Sequence, residues 1–181
     1  VSAFDDTESE DEFNLDFKTI PHWGDESVLE NNWAGSKSKA IKSILSLIVQ
    51  KPEQGILVYS NAEIKHSNQN AAVLEFVDFW KDAKGKCPKM LIFDSKFTTY
   101  ENLSRLNQDG IKFLTLRRRG ANLKKSIQAL SENDWVKVKV ESDRRKHSLV
   151  SVHDSRCTIR HYDGELRQII IKDNGRENPA F

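Results

Sequence analysis

The sequence predicts an α/β protein, a mixed sheet with flanking helices followed by a β-rich segment. Three observations carry this. Apolar runs of strand length, among them residues 44–49 and 90–93, recur between short turn-forming segments. Between those runs Val73, Phe76, Val77 and Trp80 fall at i, i+3, i+4 and i+7, the single apolar stripe of an amphipathic helix. Beyond Gly120 the period returns to two, most clearly in Val136-Lys137-Val138-Lys139-Val140.

In chain order, residues 12–20 form the first strand-like run, with Asp16 interrupting it. A polar loop follows from Pro21 to about Lys42. Residues 44–49 and the run opening at Ile56-Leu57-Val58-Tyr59 are joined by Lys51-Pro52-Glu53-Gln54-Gly55, a link short enough to predict a hairpin. The helix lies within residues 68–84 and is closed by Gly85 and Pro88. Met90-Leu91-Ile92-Phe93 is a strand that delivers Asp94. Thr98 and Glu101 have the spacing of a capping box, opening a short helix with Leu103 and Leu106 on one face. Gly110 stops it, and residues 111–116 form a further strand. Residues 121–130 suit a helix. Residues 136–140, 149–152, 158–161 and 168–172 suit strands, with Asp163-Gly164 as a hairpin turn.

Asp16 and Asp94 stand out because each sits in or at the end of an apolar run. A buried ionised carboxylate is costly unless something pairs with it, and a divalent cation bound by oxygen ligands is one such partner. The elements run strand, strand, strand, helix, strand, helix, strand, with one acid on the first strand and the other ending the fourth.

Residues 14–25 (Asn-Leu-Asp-Phe-Lys-Thr-Ile-Pro-His-Trp-Gly-Asp) and residues 91–118 resemble bacterial insertion-sequence transposases of the DDE class. The second stretch is the more specific: a strand ending in Asp, then Phe, Glu-Asn-Leu, Leu, Gly-Ile, Phe-Leu-Thr and a basic end. The resemblance spans about Phe13 to Arg119. It implies a ribonuclease H-like fold in which Asp16 and Asp94 are catalytic metal ligands for Mg²⁺ or Mn²⁺, two ions in the intact enzyme. Such ions activate the attacking oxygen and stabilise the leaving oxygen of a phosphodiester. The implied partner is double-stranded DNA, and a homodimer of the intact protein is compatible with the resemblance. The β-rich remainder is similar to the insertion that, in one branch of the family, precedes the helix bearing the last acid.

That last acid belongs to a Tyr-x2-Arg-x3-Glu-x6-Lys pattern in the family. Three residues after Tyr59, Tyr100 and Tyr162 stand Ala62, Leu103 and Glu165, never Arg. Glu177 lies between Gly175 and Pro179, a poor setting for a helix. The expectation is therefore a partial core, a piece of a longer transposase. A stand-alone nuclease of the same fold would need a third acid from Asp25, Glu75 or Asp78. A non-enzymatic DNA-binding module would need only the fold and the basic residues.

Composition narrows the classes. With 181 residues, 38% hydrophobic and 30% charged, the chain is long enough for a sizeable core. No apolar run has the length of a membrane-spanning helix and no signal peptide is visible, so no membrane partner is expected. Cys87 and Cys157 lack CxxC neighbours, which favours a reduced, cytoplasmic setting. His147, His153, Cys157 and His161 match no standard zinc spacing. His22, beside Trp23, suits a loop position.

The net charge of +1 conceals a split. Residues 1–30 carry ten acids against one base, Lys18, and residues 1–12 form an acidic leader. The acid-free stretch between Asp109 and Glu132 holds Lys112, Arg117, Arg118, Arg119, Lys124 and Lys125, which can neutralise DNA phosphates without reading sequence. The expected organisation is that leader, a partial core over residues 13–119 and the β-rich segment over residues 120–181.

Overall fold

The computed structural model describes residues 11–24, 29–95, 98–118, 120–140 and 149–173. It divides the chain into two compact units, Val1–Arg117 and Arg118–Phe181. The acidic leader is outside the described residues except for Asp11 and Glu12.

Alternation builds the centre of the first unit. On β1 (Glu12–Pro21) Phe13 and Leu15 are buried, and the pleat sends Asn14, Asp16 and Lys18 to the other face. β3 (Lys39–Gln50) lies antiparallel to β1, with Asp16 opposite Ile48 and Leu15 opposite Val49. β4 (Leu57–Ile64) returns antiparallel along β3. The expected hairpin between them is present: Lys51 N–H donates to Ile56 O at 3.0 Å and Gly55 N–H to Lys51 O at 2.9 Å. Gly55 takes a φ of +64°, which a side chain would resist.

α1 (Ala72–Lys84) buries the predicted stripe of Val73, Phe76, Val77 and Trp80. Phe76 and Trp80 meet Phe13 edge-on, with ring centroids 5.1 and 4.6 Å apart, so the helix covers the Phe13 face of the sheet. Gly85 ends α1 in a left-handed conformation, its N–H bonded to Lys81 O. β5 (Met90–Phe93) then runs parallel to β1, and β6 (Lys112–Thr115) parallel to β5. α2 (Tyr100–Gln108) joins these last two and buries Leu103 and Leu106. Both helical crossovers proceed in one direction across the sheet. Right-handedness therefore places α1 and α2 on the same side. The opposite face, with Asp16, Ile48, Ile92 and Leu114, carries neither.

The result is a mixed α/β unit whose six-stranded sheet has the order β2-β3-β1-β5-β6, with β4 also paired to β3. Two details depart from expectation. The polar segment after Pro21 contains a strand, β2 (Glu30–Ala34), antiparallel to the start of β3. Its inward position is held by a polar residue: buried Asn32 donates through Nδ2 to Ser43 O and Oγ and accepts from His66 Nε2 at 2.9 Å. The cap of α2 is Thr99 rather than Thr98. Thr99 Oγ1 accepts from Asn102 N–H at 3.2 Å, so Glu101 sits one place too early to close a box.

The second unit has one helix and one small sheet among its described residues. α3 (Ala121–Gln128) buries Ile127. β7 (Val136–Lys139), β8 (Leu149–Cys157) and β9 (Leu166–Asp173) form an antiparallel three-stranded sheet. The expected strand at residues 158–161 is instead the start of the β8–β9 connection. The chain leaves the ladder after Cys157 and turns through His161 at a φ of 66°. Asp163-Gly164 lies in that longer connection, with Gly164 at a φ of +116°.

Candidate functional site

Asp16 and Asp94 approach through the β1–β5 pairing. The last register pair of these parallel strands is Leu15↔Phe93, both buried. Asp16 and Asp94 are the residues that follow on each chain. Neighbouring strands lie about 4.8 Å apart, so the two backbones leave the ladder side by side. Asp94 Oδ1 accepts a short hydrogen bond from Ser95 N–H. This holds the carboxylate at the strand's end.

Both acids are exposed, which corrects one premise. The apolar residues flanking Asp16 turn to the opposite face, so water meets the carboxylate and no desolvation cost demands a counter-ion. What the register does provide is the placement of two acidic residues, from distant parts of the sequence, just past the end of one parallel strand pair.

The candidate third acids do not join them among the described residues. Asp78 is exposed on α1. Glu75 accepts from Asn61 Nδ2 at 3.3 Å, bracing α1 against β4. Its charge, after burial, contributes to raising the Tyr59 phenol above its ordinary value. Asp25 and Glu177 lie outside the described residues. No group of three or more His, Cys, Asp or Glu able to hold a metal occurs among the described residues. His153 Nδ1 instead bonds to Asp134 O at 2.9 Å, and His147 lies outside the described residues. Two carboxylates suit a hard divalent cation in donor type, but leave most of its six or more ligand positions to water.

The basic stretch is divided between the units. Exposed Lys112 and half-buried Arg117 belong to the first; exposed Arg118, Lys124 and Lys125 belong to the second. Arg119 is outside the described residues. No helix in the described chain is long and apolar enough to cross a membrane.

Sequence periodicity missed the β2–β3 hairpin, where Trp33, Lys37, Lys39 and Lys42 are exposed. The available signal was composition: no Asp or Glu occurs from Asn31 through Pro52. No protein-family model matches the chain, and no curated protein matches it either.

Proposed function

We propose that this chain carries the ribonuclease H-like core of a DDE-class transposase, acting on double-stranded DNA in the bacterial cytoplasm. One observation carries the reading. The parallel register ending at Leu15↔Phe93 makes neighbours of Asp16 and Asp94, which are 78 residues apart in sequence. Support comes from the order of elements, four strands of an antiparallel group (β1 to β4) followed by helix, parallel strand, helix, parallel strand, with β1 central. The basic residues from Lys112 to Lys125 fit a phosphate-contacting role.

Asp16 and Asp94 would hold Mg²⁺ or Mn²⁺ through their carboxylate oxygens. A bound ion of this kind supplies Lewis-acid activation at a phosphodiester. The chain's own contribution is to present two carboxylates from one rigid sheet, on the face that α1 and α2 leave uncovered.

Titration with Mn²⁺, read by paramagnetic broadening of the Asp16 and Asp94 neighbourhoods, tests this directly. Weak binding that is lost in both Asp16→Asn and Asp94→Asn is expected. Broadening unchanged in the two variants would remove the site. With DNA and Mg²⁺ the chain should show little strand cleavage, because the described residues supply no third ligand. Robust nicking abolished by Asp78→Ala or Glu177→Ala would instead make it a self-sufficient nuclease. The same shortage of ligands favours a second reading, a DNA-binding module without catalysis. In that case Arg117→Ala, Arg118→Ala and Arg119→Ala together should weaken duplex binding for every sequence and flatten its salt dependence.

A further inference from the structure

The β2–β3 hairpin presents a surface for which the two acids do not account. Asn32 and Ala34 are buried on β2, so Asn31 and Trp33 turn outward. The pairs Asn31↔Lys42 and Trp33↔Ala40 put Lys42 on the same face as Trp33. Trp33 is 60% exposed, and Lys37 and Lys42 are exposed as well, whereas Lys39 pairs with Ala34 on the other face. Two further bonds gather neighbours here. His22 N–H donates to Lys42 O at 3.5 Å, tying the end of β1 to the strand that carries Lys42. Thr19 Oγ1 donates to Trp33 O at 3.0 Å, bringing the end of β1 with exposed Lys18.

A single exposed apolar residue is ordinary, but Trp33 stands on a hairpin that carries lysines and, from Asn31 through Pro52, no acid. Glu30, the acid closest in sequence to Trp33, is directed to His66 N–H at 2.7 Å. An indole face offers stacking to any base, while lysines offer charge to the flanking phosphates; single-stranded nucleic acid needs both. A fully paired duplex hides its base faces and could use the lysines alone.

We propose that the β2–β3 hairpin is a single-stranded DNA contact, with Trp33 stacking on an unpaired base while Lys42 on the same face and Lys37 in the connecting turn neutralise adjacent phosphates. The choice of DNA rests on the function proposed above; the stacking and charge do not. Thr19 is three residues beyond Asp16 on β1, so the contact begins about 10 Å along the strand from the acids. A strand held there would pass close to them.

The test is fluorescence anisotropy on the full chain in EDTA at low salt. The probes are an end-labelled mixed-sequence single strand of about 15 nucleotides, within the site sizes such surfaces cover, and the blunt duplex of the same sequence. The single strand should bind more tightly and quench tryptophan emission. Trp33→Ala should weaken that binding roughly tenfold and Trp33→Phe should restore most of it. Lys37→Ala and Lys42→Ala together should lower the salt slope by about 1.4, the share of two phosphates on a single strand. Lys51→Ala, at the far end of β3, should bind as the parent does. Unchanged single-strand binding in a folded Trp33→Ala protein overturns the proposal, as does equal affinity for the duplex. If the tryptophan variants unfold, the lysine double variant still decides, since an unaltered salt slope also overturns it. EDTA keeps the two readings separate. Loss of Mn²⁺ binding with this contact intact would sink only the metal site, and the reverse only the hairpin.

Discussion

The two units bury very different amounts of themselves, and the difference shows what a sheet needs to become a core. In the first, a sheet of six strands is backed by two helices, and Phe13, Leu47, Val73, Phe76, Leu91 and Leu106 are all sealed from water. In the second, a sheet of three strands shares its unit with one eight-residue helix. Only Ile127, Val150, Ser151 and Ile170 are buried among its described residues, and every residue of β7 is exposed. Alternation makes a strand in both cases. Among the described residues, only the first unit covers the resulting apolar face with helices long enough to seal it.

The sharpest way to break this comparison is to remove one fully buried side chain from each core. Phe76→Ala deletes a side chain with no exposure that touches Phe13, Tyr59 and Trp80. It should cost about 3–5 kcal/mol, from lost transfer energy and an unfilled cavity. Chemical denaturation should show that loss in the transition of the first unit. Val150→Ala, also on a fully buried residue, removes less apolar volume and should cost about 1–3 kcal/mol in the transition of the second unit. Equal shifts of a single common transition in both variants would show that the units unfold together, and the contrast between them would lose its meaning.

What was legible in the sequence follows the same division. The α1 stripe and β5 were visible because buried apolar residues recur there at a period the backbone imposes. β2 was not, because the inward residue at its centre is Asn32. An amide that finds Ser43 and His66 can be buried, yet hydropathy scores it as loop. Residues 158–161 failed in the other direction. Thr158 to His161 alternate like a strand, but His161 turns the chain and the β8–β9 ladder has already ended at Cys157↔Leu166. As for the site, Asp16 and Asp94 could be singled out from their apolar neighbours, but their adjacency depends on strand pairing that no local pattern contains. The reason first given for a counter-ion also failed, because the pleat that buries Leu15 exposes Asp16.

The start of α2 offers a smaller test, confined to the first unit. Thr99→Ala removes the side-chain acceptor for Asn102 N–H and should cost about 1 kcal/mol. Thr98 Oγ1 makes only a 3.4 Å bond to Thr99 O, so Thr98→Ala should cost less. Asn102 Nδ2 also donates to Asn70 O at 2.7 Å, tying the same turn to the approach of α1. Amide exchange across residues 100–103 reads the cap directly. Faster exchange in Thr98→Ala than in Thr99→Ala would return the cap to the position that the Thr-x-x-Glu spacing suggested.

The smallest effect belongs to the second unit, where a surface ion pair does locally what the first unit does with burial. Arg167 on β9 grips Asp154 on β8, with Nη2 at 2.6 Å from Oδ2 and Nε at 3.1 Å from both carboxylate oxygens. The hydrogen bonds from Arg167 hold the Asp154 carboxyl below the ordinary aspartate value. Desolvation opposes this, while the charges of Arg167, Arg156 and His153 assist. A depressed folded value means that the pair's contribution is fully present above the unfolded aspartate pKa of about 3.9. It is lost as the pH falls from there through the folded value. Both side chains are largely in water, so the contribution is small and salt should diminish it further. Carboxyl titration by NMR should therefore find Asp154 shifted upward in Arg167→Ala, toward the ordinary value. Asp134 is the internal reference: its carboxyl is held low by the Ser131 side chain and backbone, and it should not move. An unshifted Asp154 would mean that the bidentate grip is not populated in solution, leaving β8 and β9 joined by their backbone ladder and the few residues they bury.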